Sequence, residues 1–188
     1  MNILLLGPPG AGKGTQGALL SERLALPKFA TGDLLRDAVA RGTPLGLQAK
    51  AVMEAGHLVS DDIIMGVIRD EVAKPASSRG VIFDGVVRTI PQAEGLASVL
   101  SGLGRRLDRV LFFDVADRYL IERLDNRRTV EHRADDDPAA VATRLAAYRT
   151  QTAPVIAWYE AHGSVTRIDA VGTVAEIAER VRTALEQS

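Results

Sequence analysis

The stretch Ile3-Leu4-Leu5-Leu6-Gly7-Pro8-Pro9-Gly10-Ala11-Gly12-Lys13-Gly14-Thr15 decides how the rest of the chain is read. Its first four residues are apolar without alternation, the pattern of a strand covered on both faces in a parallel sheet. Glycines follow, and then a helical pattern from Lys13 to Leu24 with Leu19, Leu20 and Leu24 on one face. A strand, a glycine loop and a helix N-terminus in this order make a polyphosphate site. The loop N–H groups point inward, the helix dipole favours an anion, and Lys13 adds a full positive charge. The spacing is G-x-x-x-x-G-K followed by Gly-Thr, so the hydroxyl that meets Mg²⁺ in loops ending G-K-[ST] comes one residue late, at Thr15. Strand context and complete spacing set aside the alternative of a glycine-rich turn with a chance lysine. The reading is a nucleoside triphosphate held by Gly10, Ala11, Gly12, Lys13, Gly14 and Thr15.

Outward from this stretch, strands and helices alternate. Val81-Ile82-Phe83 is a buried strand ending at Asp84-Gly85, Val110-Leu111-Phe112-Phe113 is another closed by Asp114, and Val165 to Ile168 is the last. Pro27 to Ala30 is a short link or strand. Helices are expected over about 31–41, Leu45 to Ala55 with Gly56 as its stop, a Ser60-capped segment to Lys74, Pro91 to Leu100, Arg118 to Leu124, Pro138 to His162 and Val174 to Glu186. Alternation of this kind predicts an α/β fold with a parallel sheet and helices on both faces. Two excursions leave it: a helical pair over about 31–59, and a charged loop over about 125–137 with almost no apolar residues. Both leave from the carboxyl edge of the strands, where ligands gather.

At 188 residues the chain suits one domain, and it should bury roughly 70% of its unfolded surface. A net charge of −1 gives no global field toward nucleic acid or membrane. Arginine outnumbers lysine 19 to 4, a bias whose total we ascribe to composition and whose positions carry the information. Without cysteine there is no disulfide, thiolate nucleophile or cysteine-bound zinc. The start Met1-Asn2-Ile3 has no basic leader, and no apolar run approaches the ~18 residues of a membrane span. The expectation is a soluble, cytoplasmic monomer.

Phosphoryl transfer asks for positioned phosphates, a metal and positive charge around the moving group. Lys13 and the loop amides hold the donor. Asp84, at the end of a core strand, is placed to hold Mg²⁺ through water, with a turn or cap role as the alternative. Asp33 either orders metal-bound water or caps a helix. Arg36, Arg88, Arg123, Arg127, Arg128, Arg133 and Arg144 fall on or beside the two excursions. Each charged hydrogen bond is worth about 1.5–3 kcal/mol, so several converging on one phosphoryl group supply much of a rate. Asp135-Asp136-Asp137 is rejected as a metal site: Asp135 or Asp136 is expected to pair with the flap arginines, and Asp137 to cap the next helix. His57, His132 and His162 are read as surface residues, and Trp158 and Tyr159 as packing.

Taken together, Gly-Pro-Pro-Gly-Ala-Gly-Lys-Gly-Thr at 7–15, Thr-Gly-Asp-Leu-Leu-Arg at 31–36 and Asp-Gly-x-x-Arg-Thr at 84–89 with Gln92 make the chain resemble the adenylate kinases in their short-lid form. Arg-Arg-Thr at 127–129, Arg-x-Asp-Asp at 133–136 and Ile-Asp at 168–169 extend the likeness over essentially the whole length. The resemblance implies a five-stranded parallel sheet of the P-loop NTPase type. It implies a core of 1–29, 60–125 and 138–188, an AMP-binding insertion over 30–59 and a short lid over 126–137. It implies reversible transfer from MgATP to AMP giving two ADP, without a covalent intermediate, so that ATP, AMP and ADP are the partners and Mg²⁺ the cofactor. Thr31 and Gln92 would bond the AMP adenine, Arg36 and Arg88 its phosphate, while His57, Val59 and Gly85 border that pocket. Arg123 would lie over the ATP adenine. Lys13, Arg88, Arg127, Arg133 and Arg144 would carry catalysis, with Arg127 also on ATP.

The family's Asp-Gly-Phe-Pro-Arg reads Asp84-Gly85-Val86-Val87-Arg88 here. Before a residue other than proline a cis bond costs about 2.5–4 kcal/mol, so a trans bond is expected between Val86 and Val87. Loss of the aromatic ring should loosen one wall of the AMP site and weaken AMP binding, and restoring Phe-Pro should lower the Michaelis constant for AMP. Asn126 replaces a glycine before the paired arginines, with little consequence expected. Ala170, where the family often has glycine, is expected to press slightly on the ATP base. Two alternatives stay open: a sister kinase accepting UMP or CMP, against which Thr31 and Gln92 speak, and a nucleotide-binding protein impaired in catalysis by Val86-Val87.

Overall fold

A computed structural model describes residues 1–131, 136–163 and 165–186. Five strands form one sheet: β1 Asn2–Leu6, β2 Lys28–Ala30, β3 Val81–Asp84, β4 Arg109–Asp114 and β5 Val165–Asp169. All pairs are parallel, in the order β2-β3-β1-β4-β5. β1 is central and every residue in it is buried. Its register sets Leu4 beside Phe83 and beside Val110.

Successive side chains of a strand point to opposite faces, and β1 divides accordingly. Leu4 and Leu6 join a core with Phe83, Ile64, Leu96 and Val155; Ile3 and Leu5 join a second core with Leu20, Phe113, Ile177 and Val181. The first core is closed by helices α4 Asp61–Val72, α5 Ile90–Gly102 and α8 Ala153–His162, the second by α1 Lys13–Leu24 and α9 Val174–Glu186. Two layers of helix over one sheet is what the unalternating apolar run of β1 requires.

The short segment before α2 Thr31–Ala40 is a strand, and α3 Pro44–Glu54 follows, capped by Thr43 Oγ1 accepting from Gly46 N. Ser60 stands at the cap of α4 without a side-chain cap bond. α6 Asp117–Glu131 corrects the expected boundary: the helix does not stop at Leu124 but carries on through the charged segment. Its second half has no buried stripe to announce it. An Asp125–Arg128 pair one turn apart supports it, and Val130 is 77% exposed. The helix expected from Pro138 to His162 is α7 Pro138–Ala147, a π turn over Tyr148–Thr152 and then α8. Pro154 explains the wider turn, since it lacks an N–H and its ring crowds the carbonyl four residues back. Among the described residues no helix is long and apolar enough to cross a membrane.

Candidate active site

In a parallel sheet the connections leaving β1 and its neighbours on opposite sides open a crevice at the strands' carboxyl ends. A cavity of about 690 Å³ lies there, walled by the loop before α1, by α2, by the turn after β3, and by α6 and α7. That volume is in the range of small-molecule sites.

The loop holds its shape through glycine. Gly7 has φ 146°, and a Cβ there would stand 2.8 Å from the Phe113 carbonyl. Gly12, at the cap of α1, has φ 88° and brings no side-chain oxygen to compete for the first-turn N–H groups. Lys13 is half-buried and donates from Nζ to the carbonyls of Gly7 at 2.7 Å and Pro8 at 2.8 Å. Burial pulls its pKa down to about 8; Asp84 opposes that, while Arg88, Arg144 and Arg127 push it further down. Four cations therefore crowd one point.

On the β3 side, Thr31 opens α2 and its hydroxyl donates to the Gly85 carbonyl at 2.8 Å, which also accepts from Arg88 Nε at 3.0 Å. Arg88 N donates to Gln92 Oε1 at 2.7 Å, and the Arg88 carbonyl accepts from Thr152 in the π turn at 2.9 Å. Val86 and Val87 are 0% and 1% exposed, packed in the first core, with a trans peptide between them. The turn is thus held by bonds on both sides of the valine pair. Arg36 Nη2 lies 2.5 Å from Asp33 Oδ1, and His57 and Val59 line the same wall.

On the opposite side, Arg123 Nη2 donates to the Ala170 carbonyl at 2.9 Å. Ala170 is 0% exposed in the second core and does not line the cavity. Arg127 and Arg144 both reach Asp136. Burial raises the Asp136 pKa, but the two guanidinium groups outweigh it and hold the carboxyl below its ordinary value. Asp137 caps α7 through Ala139 N at 3.0 Å, as expected. Arg133, with His132 and Asp135, lies outside the described residues.

Gly10 to Thr15, Thr31, Arg36, His57, Val59, Asp84, Gly85, Arg88, Gln92, Arg123, Arg127 and Arg144 therefore share one cavity. Sequence reading missed Lys28 and Gln16 in the same wall. Lys28 Nζ is 3.3 Å from the Gly14 carbonyl and 3.7 Å from Asp33 Oδ2, and Gln16 Nε2 donates to the Val174 carbonyl at 2.9 Å. Their only sequence signal was proximity to the two motifs. As for a metal, a Cβ on Gly14 would sit 3.6 Å from Asp84 Oδ2, so that carboxylate faces the phosphate loop. Among the described residues no three acidic or histidine side chains cluster. One carboxylate and the Thr15 hydroxyl suit a hard cation that brings most of its oxygen ligands with it on phosphates.

Sheet order, glycine cradle and cation ring define a P-loop nucleotide-binding protein. The family model described as Adenylate kinase matches residues 5–164. Among curated relatives, the Adenylate kinase of Gemmatimonas aurantiaca is 49% identical over 214 aligned positions, covering 100% of both chains. That of Xanthomonas oryzae pv. oryzae is 48% identical over 185, covering 98% of this chain and 99% of the relative. That of Stenotrophomonas maltophilia is 45% identical over 186, covering 99% and 100%. The chain belongs to the adenylate kinase family.

Proposed function

We propose that this protein transfers the terminal phosphoryl group of MgATP to AMP, reversibly, giving two ADP. The observation that carries the reading is that Lys13, Arg88, Arg127 and Arg144 line one cavity with the glycine loop, where burial first and the three guanidinium groups next lower the Lys13 pKa. The AMP phosphate oxygen attacks the γ-phosphorus, the bond from that phosphorus to the β,γ-bridging oxygen breaks, and ADP leaves. No side chain takes the group on the way. Lys13 and the first-turn amides of α1 hold the donor phosphates, with Arg123 beside the ATP base. Arg36 leaves Asp33 for the AMP phosphate, joined by Arg88, while Thr31 and Gln92 meet the adenine in a pocket bordered by His57, Val59 and Gly85.

Arg127, Arg133 and Arg144 spread charge over the moving group. Asp84, with Thr15 as a weaker partner, would hold Mg²⁺ through water, and the bound ion would supply positive charge to the phosphates. Residues 30–59 act as the AMP-binding insertion and 126–137 as a short lid, and their closure excludes water as a competing acceptor. We take the enzyme to work as a cytoplasmic monomer: the described residues assigned to both substrates line one cavity of a single chain.

Assays of AMP, CMP, UMP and GMP side by side with ATP test the reading. ADP formation fastest with AMP is expected. No ADP above background with any acceptor, or a preference for UMP or CMP, overturns it.

A further inference from the structure

Asp61 stands at the start of α4, outside the phosphate cradle, and reaches the cap and first turn of α5. Its Oδ1 accepts from Gln92 Nε2 at 2.8 Å and its Oδ2 from Thr89 Oγ1 at 3.1 Å. The other end of the same amide, Gln92 Oε1, accepts from Arg88 N at 2.7 Å. Thr89 Oγ1 itself accepts from Gln92 N at 3.3 Å, which leaves the hydroxyl proton for Asp61. A carboxylate only accepts and a backbone N–H only donates. The Gln92 amide therefore cannot turn over without losing both bonds and setting like groups against each other.

We infer that Asp61 is a positioning residue that locks the Gln92 amide in one sense, and that this lock makes the site choose a 6-aminopurine over a 6-oxopurine nucleoside monophosphate. The inference rests on the AMP reading above. After the bonds to Asp61 and Arg88, Gln92 keeps one Nε2 hydrogen and one Oε1 lone pair in fixed order. A 6-aminopurine offers an exocyclic N–H beside the N1 acceptor, which pairs with that order. A 6-oxopurine offers the reverse, a carbonyl beside an N1–H. A glutamine free to turn satisfies either base by rotating its amide through half a turn. A locked one meets the 6-oxopurine donor to donor and acceptor to acceptor, in a side chain only 1% exposed where unmade bonds are most costly.

The test is kcat and KM for AMP and for inosine monophosphate, with ATP as donor, in the wild type and in Asp61→Ala, Asp61→Asn, Asp61→Glu and Asp62→Ala. Asp62 shares the first turn of α4 and its favourable helix-start charge but is exposed, so its variant controls for helix stability. The wild type is expected to prefer AMP. Asp61→Ala should lower the AMP-to-IMP ratio of kcat/KM about tenfold, the scale of one hydrogen bond of discrimination. The change should fall on KM, leaving kcat for AMP within about threefold. Asp61→Asn retains an oxygen for Gln92 and keeps most of the ratio. Asp61→Glu keeps the charge but displaces the carboxylate by one methylene, and lowers the ratio even where the alanine variant fails to fold.

An unchanged ratio in Asp61→Ala and Asp61→Glu, an equal loss in Asp62→Ala, or a wild type indifferent between the two bases overturns the inference while leaving the AMP kinase reading intact. A wild type that forms no ADP from ATP and AMP overturns both.

Discussion

Arg127 grips Asp136 with two bonds, Nε at 2.6 Å and Nη2 at 2.5 Å, and the carboxylate is fully buried beneath it. The fork matches a carboxylate as it would match a phosphate. A cation assigned to the transferred group is thus held ready on a protein anion, which also accepts from Arg144 Nη1 at 2.8 Å and so ties α6 to α7.

Asp136→Asn should lower stability by about 3 kcal/mol, because removing one partner of a buried ion pair leaves the other poorly compensated. The folded pKa of Asp136 is lowered, so its contribution is complete above the unfolded value near 3.8 and fades as pH falls through the folded value. Urea denaturation from pH 7 down to pH 3 should show the wild-type advantage shrinking toward the acid end. A constant gap would contradict the assignment.

Lys13 also has its pKa lowered, so its linkage has the same sign, but here it is the charged form that the fold disfavours. With its pKa drawn down to about 8, the free protein loses this charge as pH rises through 8 to 9, whereas an unfolded lysine would keep it. The unfavourable buried charge is relieved there, so stability gains slightly while ATP binding weakens. The dissociation constant for ATP, measured by titration calorimetry between pH 7 and 9.5, should rise with a break near pH 8. Flat affinity across that range would show that Lys13 keeps its proton in the cradle.

Gly56 joins the wall of the AMP side to α7: its φ is 78°, and an added Cβ would meet the Ala140 carbonyl at 2.5 Å. Gly56→Ala should lower stability by about 1–3 kcal/mol, through left-handed strain and backbone displacement together. Gly102, the last residue of α5, has open space where its Cβ would point, and Gly102→Ala should be neutral or stabilising by up to about 1 kcal/mol. Thermal unfolding of the two variants distinguishes the sites.

Leu4 is fully buried at the centre of the sheet, and Leu47 on α3 is 68% exposed. Leu4→Ala should remove about 2–5 kcal/mol of stability and Leu47→Ala less than about 0.5. Chemical denaturation of both variants checks which leucines hold the fold.

The parts of this molecule that could be read from residues alone are those where chemistry leaves a local pattern. Ile3 to Leu6 announced a strand covered on both faces, Lys13 and its glycines announced an anion cradle, and Asp137-Pro138 announced a helix start. The second half of α6 left no such trace, because a helix that projects into solvent has no apolar period, and Asp125 to Glu131 looks the same as a charged loop. Asp61 was hidden differently. An aspartate at the start of a helix reads as a dipole partner, and only the fold shows that its carboxylate is turned toward Gln92 and Thr89 some thirty residues on. Lys28 and Gln16 were silent for the same reason, since their neighbours in the cavity come from other elements.

The most direct test of the central claim, that cations enclosing a moving phosphoryl group suffice without an attacking side chain, is a rapid-quench single turnover with γ-labelled ATP, Mg²⁺ and AMP. The account predicts that label passes from ATP to ADP with none bound to protein at any time. A labelled protein that forms and decays at the turnover rate, or label that never reaches ADP, would contradict it.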